Sequence, residues 1–184
     1  MSERNIEAKY KPNKPSEIYD NIHNLCSSEE HHEILQEDIF FGTFGKGRTK
    51  LRANKSKGGF LIYSELIYYE RPDEKGPKES NFIRYRPHSL DDYESLKAFH
   101  SMASGVFGVV EKTREVFLYE GKHRIHFDNV KGLGEFVEIE IVMDENQPKE
   151  EGVKILTDLM NKIGLQETEY VDVAYIDLLK KNNH

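Results

Sequence analysis

Between Glu135 and Val142 the chain reads Glu-Phe-Val-Glu-Ile-Glu-Ile-Val, acid and apolar residues in alternation. An extended strand turns successive side chains to opposite faces. Val137, Ile139 and Ile141 therefore share a face suited to burial, while Glu138 and Glu140 share the other, close enough for both carboxylates to hold one hard divalent cation. The same alternation is the ordinary mark of a sheet with one wet face. What the other strands carry decides between the two.

From the N-terminal end, Asn5 to Lys11 reads as a short strand with Asn5, Glu7 and Lys9 on one face and Ile6, Ala8 and Tyr10 on the other. Pro12 and Pro15 stop it, Ser16 is placed to cap a helix, and Ile18, Tyr19, Ile22 and Leu25 recur at helical spacing. His32 to Phe41 suggests a second strand, followed by a loop over Gly42 to Gly47 that does not match a Walker phosphate loop, since neither Gly-Lys-Ser/Thr nor a helix comes next. Arg48, Lys50 and Arg52 then alternate with Thr49, Leu51 and Ala53. Three cations on one face repel one another unless an anion or water lies over them, so this is either a solvated edge strand or part of a binding face.

Lys55 to Gly59 is a turn, Phe60 to Glu70 a strongly β-prone run closed by Arg71-Pro72-Asp73, and Asp73 to Ser80 an exposed loop that returns through a strand at Asn81 to Arg86 with Arg84 and Arg86 on one face. Ser89 caps a helix with Leu90, Tyr93, Leu96 and Phe99 as its apolar positions, ending near Ser104-Gly105. Val106 to Glu120, His123 to Val130 and Glu135 to Val142 form an antiparallel meander through tight turns at Gly121 and at Lys131 to Gly134. Lys112 and Arg114 share a face of its first strand; Arg124, His126 and Asp128 share one of its second. Gln147 to Ile163 is an amphipathic helix stopped by Gly164, and Val173 to Lys180 a short last helix.

Composition narrows the classes. At 184 residues the chain is read as one domain, 1–184, with room for a core. It has no long apolar run and a polar N-terminus, so neither membrane span nor secretory signal is expected and a cytoplasmic protein is. The one cysteine, Cys26, excludes an internal disulfide, and the histidines fall into no spaced motif, so no zinc site is expected. A net charge of −7 argues against nucleic acid as a partner.

Strand after strand thus pairs an apolar face with a charged one. The charged faces collect four acids (Glu7, Asp128, Glu138, Glu140) and nine bases (Lys9, Arg48, Lys50, Arg52, Arg84, Arg86, Lys112, Arg114, Arg124), a basic surface within an acidic protein. Antiparallel strands with helices outside and charges on the remaining face close most economically into a barrel. A charged lumen is costly unless it holds counter-ions, a need met by a polyanion along the bases and a divalent metal on the acids.

Six segments carry a family likeness in order along the chain: Asn-Ile-Glu-Ala-Lys (5–9), Gly-Arg-Thr-Lys-Leu-Arg (47–52), Leu-Ile-Tyr-Tyr-Glu-Arg-Pro-Asp (66–73), Val-Glu-Lys-Thr-Arg (110–114), Arg-Ile-His-Phe-Asp-Asn-Val-Lys-Gly-Leu-Gly (124–134) and Phe-Val-Glu-Ile-Glu (136–140). The chain resembles the CYTH superfamily of triphosphate tunnel metalloenzymes, most of all the class IV adenylyl cyclases, and also thiamine triphosphatases and inorganic tripolyphosphatases. The resemblance implies an α+β fold, an eight-stranded antiparallel β-barrel with helices packed outside, whose lumen binds a triphosphate with magnesium or manganese. It implies Glu7, Glu138 and Glu140 as metal ligands, and Lys9, Arg48, Lys50, Arg52, Lys112, Arg114 and Arg124 as triphosphate binders, with Arg84 and Arg86 on the same basic face. Lys9 and Asp128 would be the catalytic residues, Asp128 a polar lumen group near the reacting phosphate or a second metal. The family's opening signature is Glu-x-Glu-x-Lys; here Asn5 replaces its first acid and brings no charge, which bears on a second metal. The expected activity is ATP to cyclic AMP plus pyrophosphate, or hydrolysis of tripolyphosphate, thiamine triphosphate or a nucleoside triphosphate. A non-catalytic polyphosphate-binding module is a third reading, and the chain is expected to be a monomer or homodimer.

Overall fold

The computed structural model describes residues 3–26, 31–43, 45–70 and 76–182. Its strands are β1 (Glu3–Tyr10), β2 (His31–Phe41), β3 (Arg48–Lys55), β4 (Leu61–Glu70), β5 (Lys78–Tyr85), β6 (Val106–Tyr119), β7 (His123–Val130) and β8 (Gly134–Val142). Its helices are α1 (Pro15–Leu25), α2 (Leu90–Ser104), α3 (Lys149–Ile163) and α4 (Tyr175–Asn182). The strands close into an antiparallel barrel in the order β1, β5, β4, β3, β2, β6, β7, β8, the α+β architecture expected. β3 lies between β2 and β4, so its three cations do not decorate an edge.

Alternation builds the wall. Val137, Ile139 and Ile141 of β8 are fully buried beneath Leu156, Leu159, Met160 and Ile163 of α3 and Ile18 and Ile22 of α1, while Glu138 and Glu140 turn into the lumen. β1 continues the pattern, with Ile6, Ala8 and Tyr10 in the same outer core and Glu7 and Lys9 inward. The meander turns as expected: Glu120 and Gly121 both have positive φ, 54° and 63°, the left-handed pair that matches strand twist in a tight hairpin.

α4 is placed differently from the other helices. Ala174, Tyr175 and Ile176 pack on Phe40, Val110, Val130 and Phe136, so this segment covers one end of the lumen. α2 sits loosely: of its four expected apolar positions only Tyr93 is buried, against Ile39, Phe41, Leu51 and Ala53, with Leu96 partly covered, and Leu90 and Phe99 face solvent.

Several boundaries move for identifiable reasons. Ser16 does not cap α1; Pro15 takes its first turn behind Lys14, because proline's fixed φ suits that position. Ser89 does cap α2, its side chain accepting from Asp92 N at 3.1 Å. β5 begins at Lys78, inside the stretch read as loop, because β1 pairs with it through Glu7. The closing Arg71-Pro72-Asp73 and the start of that loop, residues 71–75, lie outside the described residues. No helix among the described residues is long and apolar enough to cross a membrane.

Candidate active site

The acids gather where β1, β8 and β7 meet. Register sets Glu7 opposite Glu140 and Lys9 opposite Glu138, then Glu140 opposite Arg124 and Glu138 opposite His126. Ligand atoms of His126, Glu138 and Glu140 lie within 4.8 Å of one another. His126 Nδ1, shut from solvent with no hydrogen-bond partner among the described residues, is 3.8 Å from Glu138 Oε2 and 3.7 Å from Glu140 Oε1. An orphaned buried nitrogen facing two carboxylates is a donor set that fits a divalent cation. Asn5, with its amide turned to suit its neighbours, accepts from Arg124 Nη2 at 3.2 Å, so it holds an arginine.

The bases line the wall formed by β2, β3 and β6. Arg52 grips Asp38 with two bonds of 2.6 and 2.7 Å, and Lys50 donates to the same carboxylate at 3.1 Å. Arg114 grips Asp128 in the same forked way, 2.6 Å twice, and reaches Glu138 at 2.7 Å. Lys112 Nζ is 3.6 Å from Asp128. Asp128 is fully buried, and Tyr175 of α4 donates to it at 2.9 Å. Its oxygens are thus engaged by an arginine, a lysine and a phenol, the geometry of a residue that positions Arg114. Lys9 Nζ lies 4.1 Å over the Tyr175 ring and donates to Val173 O at 3.3 Å.

On the β4 and β5 wall, Glu65 accepts from Arg84 at 3.5 Å and Arg86 at 3.0 Å. Phe40, Ile67, Tyr69 and Phe82 line the same cavity, giving one side an apolar and aromatic surface among the cations. Not every expected binder faces the cavity. Arg48 forms a bidentate pair with Asp177 of α4, at 3.0 and 2.9 Å, and so ties that helix to the barrel. The Arg86 side chain is 63% exposed, at the mouth. Arg124 stands beside the cavity, bonded to Glu140 at 2.9 Å.

Sequence reasoning missed four residues: Asp38, Glu65, His126 and Tyr175. Asp38 sits two residues from Phe40 on the inward face of β2, and Glu65 shares the period of Ile67 and Tyr69; applying the alternation rule to every strand would have found both. His126 was placed on the charged face of its strand but not among the ligands. Nothing local marks Tyr175. The two added acids change the electrostatics, because the bases are interleaved with carboxylates and do not simply repel each other. Burial alone would raise the carboxyls of Asp38, Asp128, Glu138 and Glu140, but their neighbours outweigh it and hold all four low: Arg52 and Lys50 at Asp38, Arg114 and Lys112 at Asp128, His126 and then Arg114 at Glu138, and His126 and then Arg124 at Glu140, which is brought to about 2. Burial and then Arg114 push Lys112 down to about 7, against the pull of Asp128. Burial, again followed by Arg114, lowers His126, against the pull of Glu140 and Glu138.

A closed barrel of this architecture has known counterparts. The CYTH domain matches residues 3–175. The chain belongs to the CYTH domain family. Among solved structures, PH1012 of Pyrococcus horikoshii aligns at 24% identity and a TM-score of 0.78, covering 95% of this chain and 98% of that one. A candidate adenylate cyclase from Vibrio parahaemolyticus aligns at 21% identity and a TM-score of 0.71 over 96% and 97%. A candidate adenylyl cyclase from Hippeastrum, described with a dominant triphosphatase activity, aligns at 14% identity and a TM-score of 0.65 over 98% and 96%. These alignments establish a shared fold. Among curated proteins, none matches the sequence.

Proposed function

We propose that this CYTH chain, taken as one domain, is a metal-dependent enzyme that binds a nucleoside triphosphate in its tunnel and converts ATP to cyclic AMP and pyrophosphate. The observation that carries the reading is the composition of the lumen, which combines a carboxylate and imidazole cluster, a cationic wall and an aromatic side. The aromatic side favours a substrate with an organic group over bare tripolyphosphate.

Glu7, Glu138 and Glu140 hold magnesium or manganese, with His126 beside them. When bound there, a divalent cation would supply charge neutralisation for the triphosphate. Lys50, Arg52, Lys112 and Arg114 orient the β- and γ-phosphates, exchanging carboxylate partners for phosphate oxygens of the same charge. Arg84 and Arg124 flank the chain, and Lys9 faces the reacting phosphate. The ribose 3′-oxygen forms a bond to the α-phosphorus, the bond to the pyrophosphate oxygen breaks in line, the hydroxyl proton ends on the departing pyrophosphate, and Lys50, Arg52, Lys112 and Arg114 stabilise the charge on that leaving group.

The test incubates the protein with ATP, GTP, thiamine triphosphate and tripolyphosphate, each with magnesium or manganese, and separates the products. Cyclic AMP with stoichiometric pyrophosphate is expected. Orthophosphate from tripolyphosphate or thiamine triphosphate, without cyclic nucleotide, would instead make the enzyme a triphosphatase, and tight binding without turnover a binding module. Glu140→Gln should cut turnover roughly a hundredfold or more while the protein stays folded, because Ile139 and Ile141 keep β8 in its core.

A further inference from the structure

On the outer face of the barrel, side chains from three elements direct their ligand atoms at one point. His23 lies in the last turn of α1, His31 opens β2 and Glu115 stands on β6. His31 Nε2 is 3.2 Å and His23 Nε2 3.6 Å from the same oxygen, Oε1 of Glu115, and one ligand atom from each residue lies within 4.8 Å of the others. Ligands at 2.0–2.1 Å around a tetrahedral zinc ion stand about 3.3 Å apart, so the two measured separations already approximate a coordination edge.

The surroundings hold this arrangement. Tyr19 Oη donates to the other carboxylate oxygen, Oε2, at 3.0 Å, which fixes the carboxylate and leaves Oε1 to the imidazoles. Phe117 stacks on His31 at 5.1 Å and 15° and meets His23 edge-on at 4.9 Å. His23 Nε2 is shut from solvent and has no hydrogen-bond partner among the described residues, a costly state for a polar atom unless a further group meets it. The C-terminal end of a helix also favours a cation.

We propose that His23, His31 and Glu115 bind a zinc-class transition metal, separate from the cation in the tunnel, and that this ion clamps α1 to the barrel wall. Two imidazoles and one carboxylate select zinc, cobalt or nickel over magnesium. The His31 side chain is 44% exposed, which leaves a path for the ion and for a water as fourth ligand. No spacing in the sequence announces the site, because its ligands come from a helix and from two strands that only the barrel makes neighbours.

The test titrates chelator-stripped full-length protein with cobalt(II) in excess magnesium, which occupies the tunnel carboxylates, and follows the visible ligand-field bands. One cobalt per chain is expected, displaced by zinc, and His31→Ala and Glu115→Gln should each weaken binding at least about tenfold. Glu138→Gln should bind cobalt as wild type does. Zinc should also raise the melting temperature of wild type and leave that of His31→Ala unchanged; the exposed His31 can be removed without emptying the core. Wild-type affinity in both outer-face variants would overturn the proposal, as would loss of the signal in Glu138→Gln or the failure of wild type to bind at all.

Discussion

Lys112 shows how the lumen tunes a single residue. Burial and Arg114 bring its ammonium to about 7, whereas in the unfolded chain it titrates near the ordinary lysine value of about 10.4. Between those two values the unfolded state holds a proton that the folded state lacks, so the contribution of Lys112 to stability is fully present above the unfolded value and is lost as pH falls through about 7. At pH 8 the lysine of the empty lumen is mostly neutral, and an arriving polyanion favours its charged form. Tripolyphosphate binding should therefore take up as much as one more proton in wild type than in Lys112→Met, read as the dependence of binding enthalpy on buffer ionisation enthalpy. Equal uptake in the two proteins would remove Lys112 from the phosphate site. The bases of the site were legible because each stands on an alternating strand. Their carboxylate partners were less so: Asp38 meets Arg52 only because β2 and β3 pair in that register, and Tyr175 reaches Asp128 from an element 47 residues away.

Among the elements, the strands were the most legible, since period two survives closure into a barrel unchanged, and helix docking was the least. Gly152 illustrates why. By helix propensity alone, alanine at an interior helix position is worth up to about 1 kcal/mol over glycine. A Cβ at Gly152, however, would fall on Met143 Sδ and 2.6 Å from Ile6 Cγ1, where α3 lies against β1 and β8. Gly152→Ala should therefore destabilise the protein by about 1–3 kcal/mol, read as a lowered midpoint in urea. A raised midpoint would mean that α3 is free to move off the barrel. α2 shows the same limit: the helix itself and its Ser89 cap were legible, but spacing does not say which apolar positions dock, and the barrel buries Tyr93 and partly covers Leu96.

Across the whole molecule, an acidic chain confines opposed charges to one enclosed space. Within the lumen Asp38, Glu65, Asp128, Glu138 and Glu140 each hold a base, and buried pairs of this kind roughly balance their desolvation cost. A triphosphate must compete with those carboxylates, and can do so because three linked phosphates engage several walls at once, which separate anions cannot. The most direct measurement is the melting temperature at fixed ionic strength with tripolyphosphate, orthophosphate or sulfate. Tripolyphosphate at a hundred times its Kd should stabilise the folded state by about 2.7 kcal/mol, a rise of roughly 5–10 °C for a chain of this size. Orthophosphate and sulfate should give far less, and Arg52→Ala should shrink the tripolyphosphate shift. Equal shifts for tripolyphosphate and for sulfate at matched ionic strength would contradict a lumen built to bind a triphosphate.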